Sequence, residues 1–252
     1  MSHSAATLRL SLLRGFELRV DRTVVRLVWS AQRLVAFLAL QDRPVSRSHV
    51  AEVLSPETTS SRANANLRSS LWRAQRSCPR LIVASPQDLA LDSEVVIDVR
   101  IAMNSAQRLL SGGDPCEEDI CASTRAGLSA DLLVDWYDDW VAVERERFHQ
   151  LRLHALETLC ARLTAAGRYG EAVDAGLAAV GAEPLRESAH RTLIQAHLAE
   201  GNRGEALRQY ERCSQILLDE LGLEPSATLR DLVPAPRQAL PGAGRRHQRI
   251  HG

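Results

Sequence analysis

The amino-acid sequence predicts a mainly α protein with a small β component, in which a leading unit of short strands and three helices precedes an all-α repeat. Three observations carry this reading. Apolar residues alternate loosely over residues 8–27 and then switch to helical spacing. A self-similarity with a period of 34 residues runs through the second half. Aromatic residues make up only 4% of a chain that is 45% apolar, so its cores must be built from Leu, Val and Ala, which favours helices. A length of 252 residues exceeds what one core usually organises, and two domains are expected.

The leading elements follow in order. Leu8, Leu10 and Leu12, then Phe16, Leu18 and Val20, then Val25 and Leu27 read as short antiparallel strands, with Asp21-Arg22 between the last two. From Ser30 onward Leu34, Phe37, Leu38 and Gln41 share a helical face, and Pro44 is expected to end that helix. Ser46 is placed to cap a second helix carrying Val50, Ala51 and Leu54 inward, because a Ser hydroxyl accepts from the unpaired amides of a first turn. Pro56 closes it, and a third helix is expected from about Arg62 to Ser77, before Pro79. Leu81 to Ala84 and Leu89 to Leu91, flanking Ser85-Pro86-Gln87-Asp88, read as a hairpin. Strands, three helices and a hairpin are the layout of a winged helix-turn-helix with an extra N-terminal sheet.

Behind that unit Asp98 to Leu110 is helical in pattern, and Ser111 to Thr124, with acids at 117 to 119, reads as a mobile acidic loop. A long helix is expected from near Asp138 to Gly167, where glycine accepts a left-handed cap. At an offset of 34, Ala155 matches Ala189, Leu159 matches Leu193, Gly167 matches Gly201, and Gly170-Glu171-Ala172 matches Gly204-Glu205-Ala206. This is a tetratricopeptide-like pattern, with small residues where helices approach closely. The expected organisation is a winged-helix domain over 1–97, a helical-repeat domain over 98–233 and a disordered basic tail over 234–252. Helices around 99–148 and a short one near Ser226 to Leu232 would complete the stack.

Net charge is zero, but it is segregated. Residues 1–100 hold 14 Arg against 9 acids, residues 101–233 hold 13 Arg against 22 acids, and the tail holds 4 Arg and no acid. A basic front and an acidic middle suit two different partners. The third helix is the most informative segment. At 100° per residue Ala63, Leu67, Leu71 and Ala74 form an apolar stripe, while Arg62, Asn66, Ser69, Arg73 and Arg76 gather on the opposite side. Residues 61–80 hold five Arg and no acid, as a helix entering the negative field of a DNA groove requires. Arg can bridge guanine or neutralise phosphate, and Asn can pair with adenine. Supporting phosphate contacts are assigned to Arg43, Arg47, Arg80 and Gln87; for each of these alone, a plain surface role fits as well. Trp136, Tyr137 and Trp140, interleaved with acids, are either a partner-docking surface or a seal between the two domains, and the seal is the better reading.

Enzyme chemistry finds no support. There is no Gly-rich phosphate loop, HExxH or GxSxG, and the histidines do not cluster as ligands, so no cofactor or metal is expected. Cys78, Cys116, Cys121, Cys160 and Cys213 form no CxxC pair and follow no apolar signal segment, which points to reduced thiols and a cytoplasmic location with no membrane partner. Cys116 and Cys121 are placed for a redox switch in the acidic loop, against the plainer role of idle thiols.

The residues resemble the Streptomyces antibiotic regulatory proteins, which join a response-regulator-type winged helix to a bacterial transcriptional activator domain. The resemblance rests on Gln32 to Leu40, Pro44-Val45-Ser46-Arg47, Ala65 to Arg73, Trp136-Tyr137-Asp138-Asp139-Trp140-Val141, Glu144 to Arg147, Glu183 to Glu187 and Glu220 to Ser226. It covers residues 8–232. It implies an activator that binds direct repeats in double-stranded DNA upstream of promoters, as a homodimer there, and contacts the RNA polymerase holoenzyme. The recognition helix would be the one bearing Asn66, Ser69 and Arg73. The added nucleotide-binding module of larger relatives is not expected in a chain of this length. The sequence departs from the family at Ser55, where Trp is usual before Pro, and at Val134-Asp135, where Pro-Gly is usual before Trp136. The alternative is a tetratricopeptide-type interaction module with degenerate DNA binding.

Overall fold

The computed structural model describes residues 7–112 and 120–233. Strands β1 (Leu8–Ser11), β2 (Glu17–Val20) and β3 (Thr23–Val24) form an antiparallel meander with Leu8 opposite Val20 and Leu10 opposite Leu18. The alternation buries Leu8, Leu10 and Leu18 and leaves Arg9 and Arg19 outside. Val25 and Leu27 lie beyond β3 rather than in it. Asp21 closes the β2–β3 turn at φ +52 and is tied to Thr7 twice: its amide donates to the Thr7 carbonyl (2.8 Å), and its carboxylate accepts from the Thr7 amide (2.9 Å).

Helix α1 (Trp29–Ala39) stops well before Pro44, and Gln41 lies outside it. Its end is held by Arg100, whose guanidinium donates to the carbonyls of Leu38, Ala39 and Gln41 at 3.3, 2.9 and 2.7 Å. The Leu38 carbonyl also accepts from the Gln41 amide (3.3 Å), and the cation stabilises the negative end of the helix where its carbonyls run out of amides. Helix α2 (Arg47–Leu54) is capped by Ser46, whose Oγ accepts from the His49 amide. Helix α3 (Ser60–Ser77) begins two residues earlier than expected, because Thr59 caps it by accepting from the Arg62 amide.

The hairpin of strands β5 (Ile82–Ala84) and β6 (Asp88–Leu91) gains a third strand, β4 (Val45–Ser46), on its β6 edge. Strand β7 (Val96–Ile97) then returns to lie parallel to β1, giving the first sheet the order β3-β2-β1-β7. Two-residue strands show no alternation, which is why β4 and β7 left no trace in the sequence pattern.

The second half is helical: α4 (Asp98–Leu110), α5 (Ala122–Leu128), α6 (Asp139–Ala165), α7 (Tyr169–Ala182), α8 (Glu187–Glu200), α9 (Arg203–Leu221) and α10 (Ala227–Arg230). Of the expected acidic loop, residues 113–119 lie outside the described residues, and its far end is instead the start of α5, which buries Thr124 and Leu128. The expected basic tail also lies outside them.

The 34-residue repeat is structural. Ala155 and Ala189, Leu159 and Leu193, and Ala172 and Ala206 are each fully buried, and Gly167 and Gly201 sit at φ +71 and +92. At Gly176 the helices approach so closely that a Cβ would lie 3.0 Å from Leu193 Cδ1 and 3.3 Å from Cys160 Sγ.

The two halves share one continuous apolar cluster running from Leu8 to Ala196. The chain passes from β7 straight into α4, and the Asp98 carboxylate accepts from the amides of Leu12 (2.9 Å), Leu13 (3.2 Å) and Val99 (2.7 Å). Leu133 donates its amide to the Leu12 carbonyl (2.9 Å) and Arg14 to that of Asp131 (2.7 Å). Arg145 then ties down the segment before α6, donating to the carbonyls of Leu132, Leu133 and Trp136.

Candidate nucleic-acid interface

Helix α3 buries Ala63, Leu67, Leu71 and Ala74 and leaves Arg62, Asn66, Ser69, Arg73 and Arg76 exposed along one side. Among the described residues Arg73 bonds to Ser30 and Arg76 lies over Trp72, and neither they nor Arg62 form an ion pair with the acidic second half. The helix has no acid in its first turn, and it carries Arg62 there, at the end where the helix dipole disfavours a cation. That placement gives up local stability for an exposed positive end that suits an anion.

Two of the five side chains are already positioned. Asn66 Nδ2 donates to Ser55 Oγ (3.4 Å), so the residue standing where the family has Trp orients the Asn. Arg73 Nη1 donates to Ser30 Oγ of α1 (3.3 Å). Trp72 gains a place beside the interface only in the fold. It is 58% exposed beside this face, with the Arg76 guanidinium 5.1 Å over its ring. The i,i+4 spacing of Trp72 and Arg76 was the available signal.

The supporting residues are scattered in their surroundings. Arg47 and Gln87 are brought together: the Arg47 amide donates to the Gln87 carbonyl (2.9 Å), and its Nε donates to the Ser85 carbonyl (2.9 Å). The hairpin tip is closed by Ser85 Oγ, which accepts from the amides of Gln87 (3.2 Å) and Asp88 (2.8 Å), doing the work that glycine does in other wings. Arg80 lies at the base of the hairpin and pairs with Glu94 (2.6 Å), both largely exposed. Arg43 is exposed in the α1–β4 connection.

The aromatic residues before α6 divide. Trp136 is buried, 4.4 Å from Trp29 and 6.0 Å from Phe16 between ring centroids, and Trp140 sits edge-on to Phe37 at 5.4 Å. Both rings therefore join the second half to the first. Tyr137 is 92% exposed and takes no part in this cluster. Asp138 adds a polar link, accepting from Arg33 Nε (2.8 Å) and Nη2. Cys121 lies beside Ser123 Oγ, whose hydrogen bond holds its thiol down to about 7, but the proposed partner Cys116 lies outside the described residues. No helix among the described residues is long and apolar enough to cross a membrane.

With this geometry established, the chain can be placed among known proteins. The model of the bacterial transcriptional activator domain matches residues 99–235. The chain belongs to the bacterial transcriptional activator domain family. It is 27% identical over 215 residues to the regulatory protein AfsR of Streptomyces coelicolor, covering 82% of this chain and 22% of that protein. It is 25% identical over 205 residues to AfsR of Streptomyces griseus, covering 79% and 21%. This activator-domain protein thus spans about a fifth of the length of the curated relatives it matches. Among solved structures it is similar to Mycobacterium tuberculosis EmbR in complex with a low affinity phosphopeptide, with a TM-score of 0.67 and 22% identity over 90% of this chain and 64% of that one. That likeness bears out the fold class, a winged helix-turn-helix followed by an all-α repeat domain. The resemblance to the Streptomyces antibiotic regulatory proteins stands with it, and the matched domain is one of transcription regulators.

Proposed function

We propose that this chain is a sequence-specific DNA-binding transcription regulator, an activator that binds direct repeats upstream of promoters and contacts RNA polymerase through its helical domain. The observation that carries the reading is the exposed face of α3, which offers three guanidinium groups, an amide and a hydroxyl on one side and no carboxylate. In the major groove Arg62, Asn66, Ser69, Arg73 and Arg76 have the donors and acceptors to read base edges or to neutralise phosphate. Arg43, Arg47, Arg80 and Gln87 would hold the flanking backbone, which sets register without reading sequence. Two copies on direct repeats would sit about one helical turn apart, head to tail. Domains would divide at residues 97 and 98, with the acidic second half turned away from the DNA.

A gel-shift series on a cognate promoter tests this. Arg73→Ala and Arg76→Ala are each expected to weaken binding by about 5- to 150-fold, the effect of about 1–3 kcal/mol for a lost contact to a base or a phosphate. Binding of both variants as tight as that of the parent would remove the assignment.

A further inference from the structure

Between α1 and α3 lies a cavity of about 260 Å³. Its polar lining includes Ser30 and Arg33 from α1 and Asn66, Ser69, Ser70 and Arg73 from α3. Two arginines and several serines therefore line one depression, and no lining residue is acidic. Arg73 reaches across the opening to Ser30 Oγ. Arg33 comes from the other side, half-buried, with Nε and Nη2 both spent on a single oxygen of Asp138. Among the described residues its Nη1 makes no hydrogen bond. Asp138 balances Arg33 from outside the lining, and the positive charge left over in the cavity is that of Arg73, whose guanidinium meets only the Ser30 hydroxyl. The N-terminal turn of α1, which no side chain caps, adds a partial charge of the same sign.

We propose that this cavity is a phosphate-binding site, occupied by a backbone phosphate of the DNA strand that borders α3. The proposal rests on the DNA-binding reading and deepens it: Arg73 would face a phosphate rather than a base, and Ser30 and Arg33 of α1, neither assigned to DNA from the sequence, would complete its donor set. A phosphate oxygen takes charge-assisted hydrogen bonds from both guanidinium groups, and hydroxyls fill the remaining positions. Arg33 then serves two anions at once, the Asp138 carboxylate of the helical domain and the phosphate of the DNA. The same chemistry would accept the phosphate of a free phosphorylated compound, and DNA is favoured because Asn66, Ser69 and Arg73 belong to both the cavity and the exposed face of α3.

The test uses the full chain and a cognate duplex, with affinity followed by fluorescence anisotropy between about 50 and about 200 mM salt. Arg33→Gln is expected to weaken binding and to reduce the slope of log affinity against log salt by about one, the signature of one lost phosphate contact. Ser30→Ala should weaken binding with the Arg33–Asp138 pair intact. Asp138→Asn removes the charge of that same pair while keeping an acceptor oxygen for Arg33, so it should bind at least as tightly as the parent with an unchanged slope. A slope unaltered in Arg33→Gln, or an Asp138→Asn variant as weak as Arg33→Gln, would overturn the proposal and leave Arg33 a link between the halves. In a second arm, thermal stabilisation by inorganic phosphate is compared with chloride at equal ionic strength. Phosphate stabilisation that vanishes in Arg33→Gln and Ser30→Ala, with their duplex slopes unchanged, overturns the DNA source in favour of a free phosphorylated compound. A parent chain that binds no duplex overturns the DNA reading itself, an outcome distinct from a parent that binds while its Arg33→Gln slope stays the same.

Discussion

His190 is fully buried in α8 between two fixed partners: its Nε2 lies 2.9 Å from the Pro184 carbonyl and its Nδ1 lies 2.7 Å from Gln209 Nε2. The carbonyl can only accept and the amide nitrogen can only donate, which selects the neutral ring with its proton on Nε2. Burial lowers its pKa from the ordinary 6.5, assisted by Arg212 and opposed by the hydrogen bond to Pro184 and by Glu187. A lowered histidine takes its proton in the unfolded chain first, so it destabilises the fold as pH falls below about 6.5 and down through its folded pKa. Thermal melts are expected to lose stability on that side, and His190→Gln to flatten the loss; a parent and variant with parallel acid limbs would refute the assignment. The residues of the candidate interface differ in how much of their role could be read from the sequence. The side of α3 bearing Arg62, Asn66, Ser69, Arg73 and Arg76 followed from 100° geometry alone, because a helix fixes its own faces. Arg33 and Ser30 did not, since their positions beside Arg73 depend on how α1 crosses α3, and no local period records that.

At the scale of elements, the helices were legible wherever a cap or an apolar stripe was local, as at Ser46 before α2 and at Gly167 after α6. Strands β4 and β7 and the end of α1 were not, because each depends on a distant partner: Asp88 to Leu89, β1 and Arg100 respectively. The repeat shows both sides of this. Its 34-residue period placed Ala172 and Ala206 at equivalent buried positions, yet Gly176 falls opposite Tyr210 at the same offset. Gly176 is needed because Leu193 and Cys160 crowd it, while Tyr210 lies in α9 and only partly buried. A helix glycine normally weakens its helix by roughly 0.5–1 kcal/mol, so its presence marks a close approach that outweighs propensity. Gly176→Val is therefore expected to destabilise the fold by about 1–3 kcal/mol through overpacking. The equivalent change at Gly170, where nothing lies within 4 Å of an added Cβ, should alter stability far less. Urea unfolding of the two variants measures the difference, and equal midpoints would show that α7 and α8 can separate to make room.

At the scale of the whole molecule, the two halves are joined by packing rather than by a tether. The apolar cluster is continuous across them, Asp98 fastens α4 to the β1–β2 side, and Trp136 lies against Trp29 and Phe16. Such a junction makes unfolding cooperative, because opening either half exposes apolar surface of the other. Under the proposed function, a partner on the helical domain would act on α1 through Trp136, Trp140 and the Arg33–Asp138 pair, and α1 carries the Ser30 that holds Arg73. Calorimetry of the parent chain is accordingly expected to show one transition for both halves. Trp136→Ala should lower stability by about 3–5 kcal/mol and split that transition in two, since the lost ring fills the seam between units that each keep their own helices. Tyr137→Ala, one residue away but 92% exposed, should stay within about 0.5 kcal/mol and keep the single transition. Two transitions in the parent, or a Trp136→Ala variant that still melts as one unit, would mean that the halves are coupled by something other than this aromatic seam, most directly by the Asp98 carboxylate and the amides of Leu12 and Leu13.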